Sequence, residues 1–226
     1  DKVRQGVQQA AAGGYSIDNS LRFNDNDSAY LNWTPSSAGN RKTWTFSCWV
    51  KRGADVSDNS TIFGNSNFQY AGLRFNSGGN GTLLFYFLDA GGFKYLETTQ
   101  VFRDTSAWYH IIAVADTPNA TTADRLRLYV NGTRITSFLN EVQPAQSADG
   151  SFNTGNLHYV GRRYNGGLYF DGYLAEVHFI DGQALDPTSF GETGTYGEWK
   201  PIAYAGSYGT NGFYLDFSNS GSLGTD

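Results

Sequence analysis

Methionine is absent from the 226 residues, cysteine occurs once, and Lys, Arg, Asp and Glu together make up only 16%. Each shortage removes a class of protein. With Cys48 alone, no intrachain disulfide can form. Its place in the apolar run Trp44–Val50 marks a buried structural thiol, not a reactive one. Cations are few and scattered, Arg162-Arg163 being the nearest thing to a patch and reading as a solvated rim, and the formal charge is −5. The clustered positive charge that nucleic acid requires is therefore missing. No apolar run reaches transmembrane length and no signal segment opens the chain. Lacking Met and starting at Asp1, the sequence reads as a processed or excised piece of a longer protein.

Aromatic and turn residues are abundant instead, with 15 Tyr, 16 Phe and 28 Gly. Strand formers between tight turns are the composition of an all-β domain. Residues 1–14, rich in Gln, Ala and Val, differ from the rest and read as an N-terminal linker. From residue 15 to 226 short alternating runs alternate with turn clusters, as in a sandwich. Ser20–Asn24 and Ala29–Trp33 flank a polar turn. In Thr43–Lys51, Trp44, Phe46, Cys48 and Val50 face one way and Thr45, Ser47, Trp49 and Lys51 the other. Trp108–Asp116 is nearly all apolar, as in a strand covered on both faces. Arg125–Val130 meets Asn131-Gly132, a strong hairpin signal, with Arg134–Phe138 as the expected return strand. Asp171-Gly172 and Asp181-Gly182 read as turns, Gln183–Phe190 as the one helical turn. Residues 191–226 form a Gly- and Tyr-rich segment whose Phe213–Phe217 should return a strand to a sheet.

Four segments in order carry a family resemblance: Thr43–Lys51, Trp108–Val114, Arg127–Gly132, and Phe170–His178 leading into Ala184-Leu185. They resemble the strand pattern of the laminin-G-like (concanavalin A-like) jelly rolls, over roughly residues 16–190. The resemblance implies a two-sheet antiparallel sandwich whose members bind glycans or proteins at loop rims or on a concave sheet, some with calcium. The opening Ser20–Leu31 and closing Gly209–Phe217 segments are also similar to structural or tail-associated proteins of marine bacteriophages.

Catalytic constellations are thin. Related hydrolases set carboxylates close together on one strand, but the five glutamates (Glu97, Glu141, Glu176, Glu192, Glu198) are dispersed. Glu176 and His178 share a strand and could form an acid/base couple, against the simpler reading as scaffold. His110 and His158 lack metal-ligand spacing, and neither a His-Glu-x-x-His motif, a phosphate loop nor a serine elbow occurs. No catalytic residue is assigned. Calcium needs only oxygen donors, and Asp25, Asp27, Asp89 and Asp116, with Asp55, Asp58 and Asp124, lie in turn contexts that also explain them. Rigid rings beside Asn and Gly suit sugar faces, and nominate Tyr164, Asn165, Tyr169, Trp199, Tyr204 and Tyr208. The competing reading packs these rings onto the sandwich to cover its strands.

The expected function is non-catalytic carbohydrate or surface binding on a phage virion or tail fibre. A structural or decorating virion domain is the alternative, and a polysaccharide lyase or hydrolase comes third. The expected partners are a glycan or other cell-surface polymer and other virion proteins, with homo-oligomerisation open and neither nucleic acid nor membrane insertion. The expected location is virion or extracellular.

Overall fold

The computed structural model describes residues 14–53, 60–66, 71–76, 81–164 and 166–225. The linker expected over residues 1–14 thus lies, but for Gly14, outside the described residues, as do Asp55, Asp58 and Asn165. In chain order the strands are β1 (Leu21–Phe23), β2 (Leu31–Trp33), β3 (Thr43–Arg52), β4 (Ser60–Asn65), β5 (Gly72–Asn76), β6 (Thr82–Asp89), β7 (Gly92–Val101) and β8 (Tyr109–Asp116). There follow β9 (Leu126–Val130), β10 (Thr133–Arg134), β11 (Phe138–Val142), β12 (His158–Val160), β13 (Gly172–Asp181), β14 (Gly191–Thr193), β15 (Trp199–Pro201) and β16 (Phe213–Leu215).

These strands form two seven-stranded antiparallel sheets. Sheet A runs β1-β13-β3-β8-β9-β10, with β16 also on β13, and sheet B runs β11-β7-β6-β5-β4-β12-β2. The closing strand expected near residue 213 is β16, in register with Val177–Phe179. A ribbon of β14 and β15 stands apart from both sheets. The fold is the all-β sandwich that the alternation implied, of the jelly-roll type that the family resemblance implied.

Alternation explains the interior. Trp44, Phe46, Cys48 and Val50 of β3 are fully buried, and meet Phe63, Leu73, Phe75, Phe85 and Phe87 from sheet B. Phe63 is the hub: its ring stacks at 4.3 Å on Phe46, 4.8 Å on Phe152 and 5.7 Å on Trp33. Burial pushes the Cys48 thiol far above its ordinary pKa, keeping it neutral. β8 is buried on both faces. Ile111, Ala113 and Ala115 join the main core, whereas Ile112 and Val114 join a second one with Tyr129, Ile180 and Phe190 on the outside of sheet A.

The Asn131-Gly132 turn has φ of 48° and 78°, the positive pair that a two-residue hairpin demands. The return strand over Arg134–Phe138 is a correction: pairing stops at Arg134 and a last bond from Ile135 N to Leu128 O. Ile135 packs against the main core, and the chain crosses the sandwich so that Phe138 opens β11 on sheet B. Asp171-Gly172 is likewise no turn, since Gly172 is the first residue of β13. A Cβ there would lie 2.2 Å from the Lys51 carbonyl, so glycine serves a close strand approach.

Truncating the hub should be costly. Phe63→Ala is expected to lower unfolding free energy by about 3–5 kcal/mol, read from urea melts. A loss under ~1 kcal/mol would contradict the core assignment.

Candidate functional site

The outer face of sheet A carries more than apolar residues. Register sets Trp49 of β3 opposite His110 of β8, their rings 5.0 Å apart and tilted by 16°. The β14–β15 ribbon folds across this face and delivers Trp199, whose indole N–H donates to His110 Nδ1 at 2.9 Å. With Nδ1 accepting, the imidazole proton sits on Nε2 and donates to Ser47 Oγ at 2.8 Å. Burial, aided by nearby His178, pushes the His110 pKa down to about 3, so the ring stays neutral in this relay. Trp199 is wedged between two glycines. A Cβ on either Gly132 or Gly191 would come within 2.4 Å of its ring.

Where this cover ends, a cleft of about 640 Å³ opens. Its walls include Trp49, Trp108 and Trp199, and its polar groups include Asp18, Asn19 and Lys200. Trp108 is 37% exposed and Trp49 and Trp199 are half-buried. Lys200 lies 3.5 Å from Glu192, and Asp18 accepts from Ser16 Oγ at 2.9 Å. Indole faces beside amide, carboxylate and ammonium groups offer apolar area and hydrogen bonding together.

Glu176 and His178 serve another purpose. A bulge between Ala175 and His178 holds Glu176 at φ 49°, at the junction where β1 and β16 meet end to end along β13. Its carboxylate accepts from Tyr15 at 2.6 Å and Tyr214 at 2.7 Å, clasping both terminal segments. His178 Nε2 is 3.7 Å away, too long for a hydrogen bond, while its ring stacks on Tyr214 at 4.5 Å. Burial alone would raise the Glu176 pKa. The His178 ring and the two hydroxyls outweigh it, and the net shift is downward. Burial and the carboxylate push the Tyr15 hydroxyl up to about 12.

The nominated binding residues fall in three places. Trp199 lines the cleft. Tyr204 and Tyr208 belong to the second core, Tyr204 on Phe190 at 5.1 Å and Tyr208 on His178 at 6.0 Å. Tyr164 and Tyr169 lie in the loop after β12, Tyr169 beside Tyr30 at 6.4 Å. The calcium candidates are engaged within their own turns. Asp27 accepts from Asn24 at 2.6 Å, Asp25 from Asn26 N at 2.9 Å, Asp89 from Gly91 N at 2.7 Å and Asp116 from Asn119 at 3.0 Å. Among the described residues no three His, Cys, Asp or Glu side chains gather in one place. Trp49, Trp108, Asp18, Asn19 and Lys200 escaped sequence reading. The available signal was a tryptophan, Trp49, on the otherwise polar side of β3.

Residues 24–189 match the family described as the concanavalin A-like lectin/glucanases superfamily. The chain belongs to this superfamily. A candidate carbohydrate-binding protein from Bacteroides ovatus superposes with a TM-score of 0.61 at 18% identity, over 88% of this chain and 52% of that one. The chain thus spans about half that protein's length. Domains LG4-5 of the mouse laminin α1 chain give 0.48 at 16% identity, over 79% and 45% of the two chains. The SAP-like pentraxin of Limulus polyphemus gives 0.45 at 19%, over 69% and 70%. No curated protein matches.

The buried imidazoles give this concanavalin A-like domain a pH signature. His110 and His158 have pKa values of about 3 and about 4, and His178 is also lowered, all chiefly by burial. Folded values below the unfolded one mean stability present above pH ~6.5 and lost as pH falls toward 4. Urea melts from pH 6.5 to 4.5 should lose up to about 1.4 kcal/mol per pH unit for each of His110 and His158, with His178 acting in the same direction. Flat stability across that window would refute the neutral relay.

Proposed function

We propose that this domain is a non-catalytic carbohydrate-binding module that acts through the cleft between Trp49, Trp108 and Trp199. The carrying observation is that cleft: three indoles of separate sequence origin meet beside Asp18, Asn19 and Lys200. Pyranose rings have apolar C–H faces and equatorial hydroxyls, and this wall offers a partner to each. Rigid rings cost little entropy on binding, and Trp199 is already held by His110 and two glycines. The carbohydrate-binding description of the Bacteroides ovatus protein is consistent with this reading. Asp18 is the carboxylate of the cleft lining, whereas glycoside hydrolysis of the usual kind needs two. Similarity of the terminal segments to phage tail-associated proteins supports a host-attachment role on a virion or tail fibre, outside the cell. The second reading, a decorating virion domain, draws on Phe93, Val101, Leu139 and Val142, large apolar side chains exposed on β7 and edge strand β11.

Indole fluorescence titrated with a panel of cell-surface and algal polysaccharides tests the binding reading. A binding glycan should shift the emission, and Trp108→Ala and Trp199→Ala should each weaken it about tenfold or more. Tyr204→Phe, in the second core, should leave it unchanged. Absence of any glycan response, with cross-linking through β11 to other virion proteins, would favour the decorating role. Release of reducing ends would favour the enzyme.

A further inference from the structure

Arg162 stands apart from the other cations. Its guanidinium carbon lies 4.2 Å from the ring centre of Tyr30 and 4.2 Å from that of Tyr159, so the head sits clamped in the corner between two rings. The two rings meet edge to face at 5.9 Å, which fixes the clamp. Arg22, Arg127 and Arg134 each pair with an aspartate, and Arg41 and Arg125 donate to carbonyls. Arg162 makes no hydrogen bond or ion pair with any described residue, and its Nε is buried without an acceptor.

A clamped guanidinium has lost its side-chain freedom before any ligand arrives, and its fork matches the two oxygens of a carboxylate or sulfate. The rings beside it suit a sugar. Tyr30 and Tyr164 are exposed, and Tyr169 leans toward Tyr30 from a loop closed by Arg163 N to Gly167 O at 3.3 Å. We propose that Arg162, with Tyr30 and Tyr169, forms a second binding site that takes the oxyanion of an acidic polysaccharide, a uronate carboxylate or a sulfate ester. The site lies at the β2–β12 edge of sheet B, whereas the tryptophan cleft lies on the outer face of sheet A. It rests on reading the chain as a glycan binder, and adds a charge preference to that reading.

Polygalacturonate, dextran sulfate and uncharged dextran are the probes, with wild type, Arg162→Gln and Arg162→Lys. At least one polyanion should bind wild type with affinity that falls as salt rises. Arg162→Gln should weaken it tenfold or more, and Arg162→Lys several-fold, because an ammonium keeps the charge but not the fork. The polyanion that responds identifies carboxylate or sulfate. Any binding of dextran or neutral glycans at the tryptophan cleft should be unaffected. Nitrogen-15 NMR of the Arg162 Nε–H in wild type reads the contact without a variant, and the signal should shift on adding the polyanion. The inference is overturned by wild type ignoring both polyanions, by equal affinity in Arg162→Gln, or by an unmoved Nε signal. None of these touches the cleft, whose failure is a loss of response at Trp108 and Trp199.

Discussion

The central strands of sheet A are buried on both faces, and the molecule's arrangement follows from that. A strand such as β8, with Ile111, Ala113 and Ala115 inward and Ile112 and Val114 outward, needs a second cover as much as it needs sheet B. Residues 183–212 supply it. Thr45 and Ser47, on the outer side of β3, do not face water but dock this cover. Thr45 Oγ1 donates to Gln183 O and accepts from Leu185 N, both within 2.9 Å. Ser47 receives the His110 proton, and His110 in turn holds Trp199. Each buried polar group in this relay has a partner, which makes burial tolerable. The cleft lies where the cover stops short, leaving Trp49 part-exposed beside Trp199.

The same double burial explains what could be read in advance. Period-two alternation in Thr43–Lys51 and the Asn-Gly turn at 131–132 are local signals, so the sandwich and its hairpin were visible in the sequence. The unbroken apolar run of β8 already implied two covers. The failures were non-local. Nothing near Ile135 announces that its side chain belongs to the main core and that the chain must change sheets there. Asp171-Gly172 resembles a turn because glycine is ambiguous. Only the approach of the Lys51 carbonyl shows which of its properties is in use.

The candidate site was less legible for the same reason. Its walls come from residues 17–20, 49, 108, 175 and 199–201, brought together by register and by the ribbon. Trp199 sits among turn residues, but so do Tyr204 and Tyr208, which the second core takes instead. Composition cannot separate a ring that covers a strand from a ring that faces solvent. Trp49 was counted on the polar side of β3, and its size against neighbours Ser47 and Lys51 was the clue to a surface that is neither core nor plain solvent.

Carboxylate placement bears on the choice between binding and catalysis. Glu97 accepts from Asn76, Thr82 and Asn140, and Glu141 from Gln143. Glu176 is held by two tyrosine hydroxyls, Glu192 lies beside Lys200, and Glu198 accepts from Tyr196 N. An acid catalyst needs its proton poised toward a substrate oxygen, with a second carboxylate across the bond. Glu176, the most enclosed of the five, has its pKa moved down, away from the raised value a general acid requires. The glutamates that would have to act are those placed at the clasp of the terminal segments, in β14 and the turn after it, and on β7 and the edge strand β11 of sheet B. Chemistry by Glu176 would have to begin by releasing the terminal segments it clasps, whereas a sugar settling on three indoles asks nothing of it.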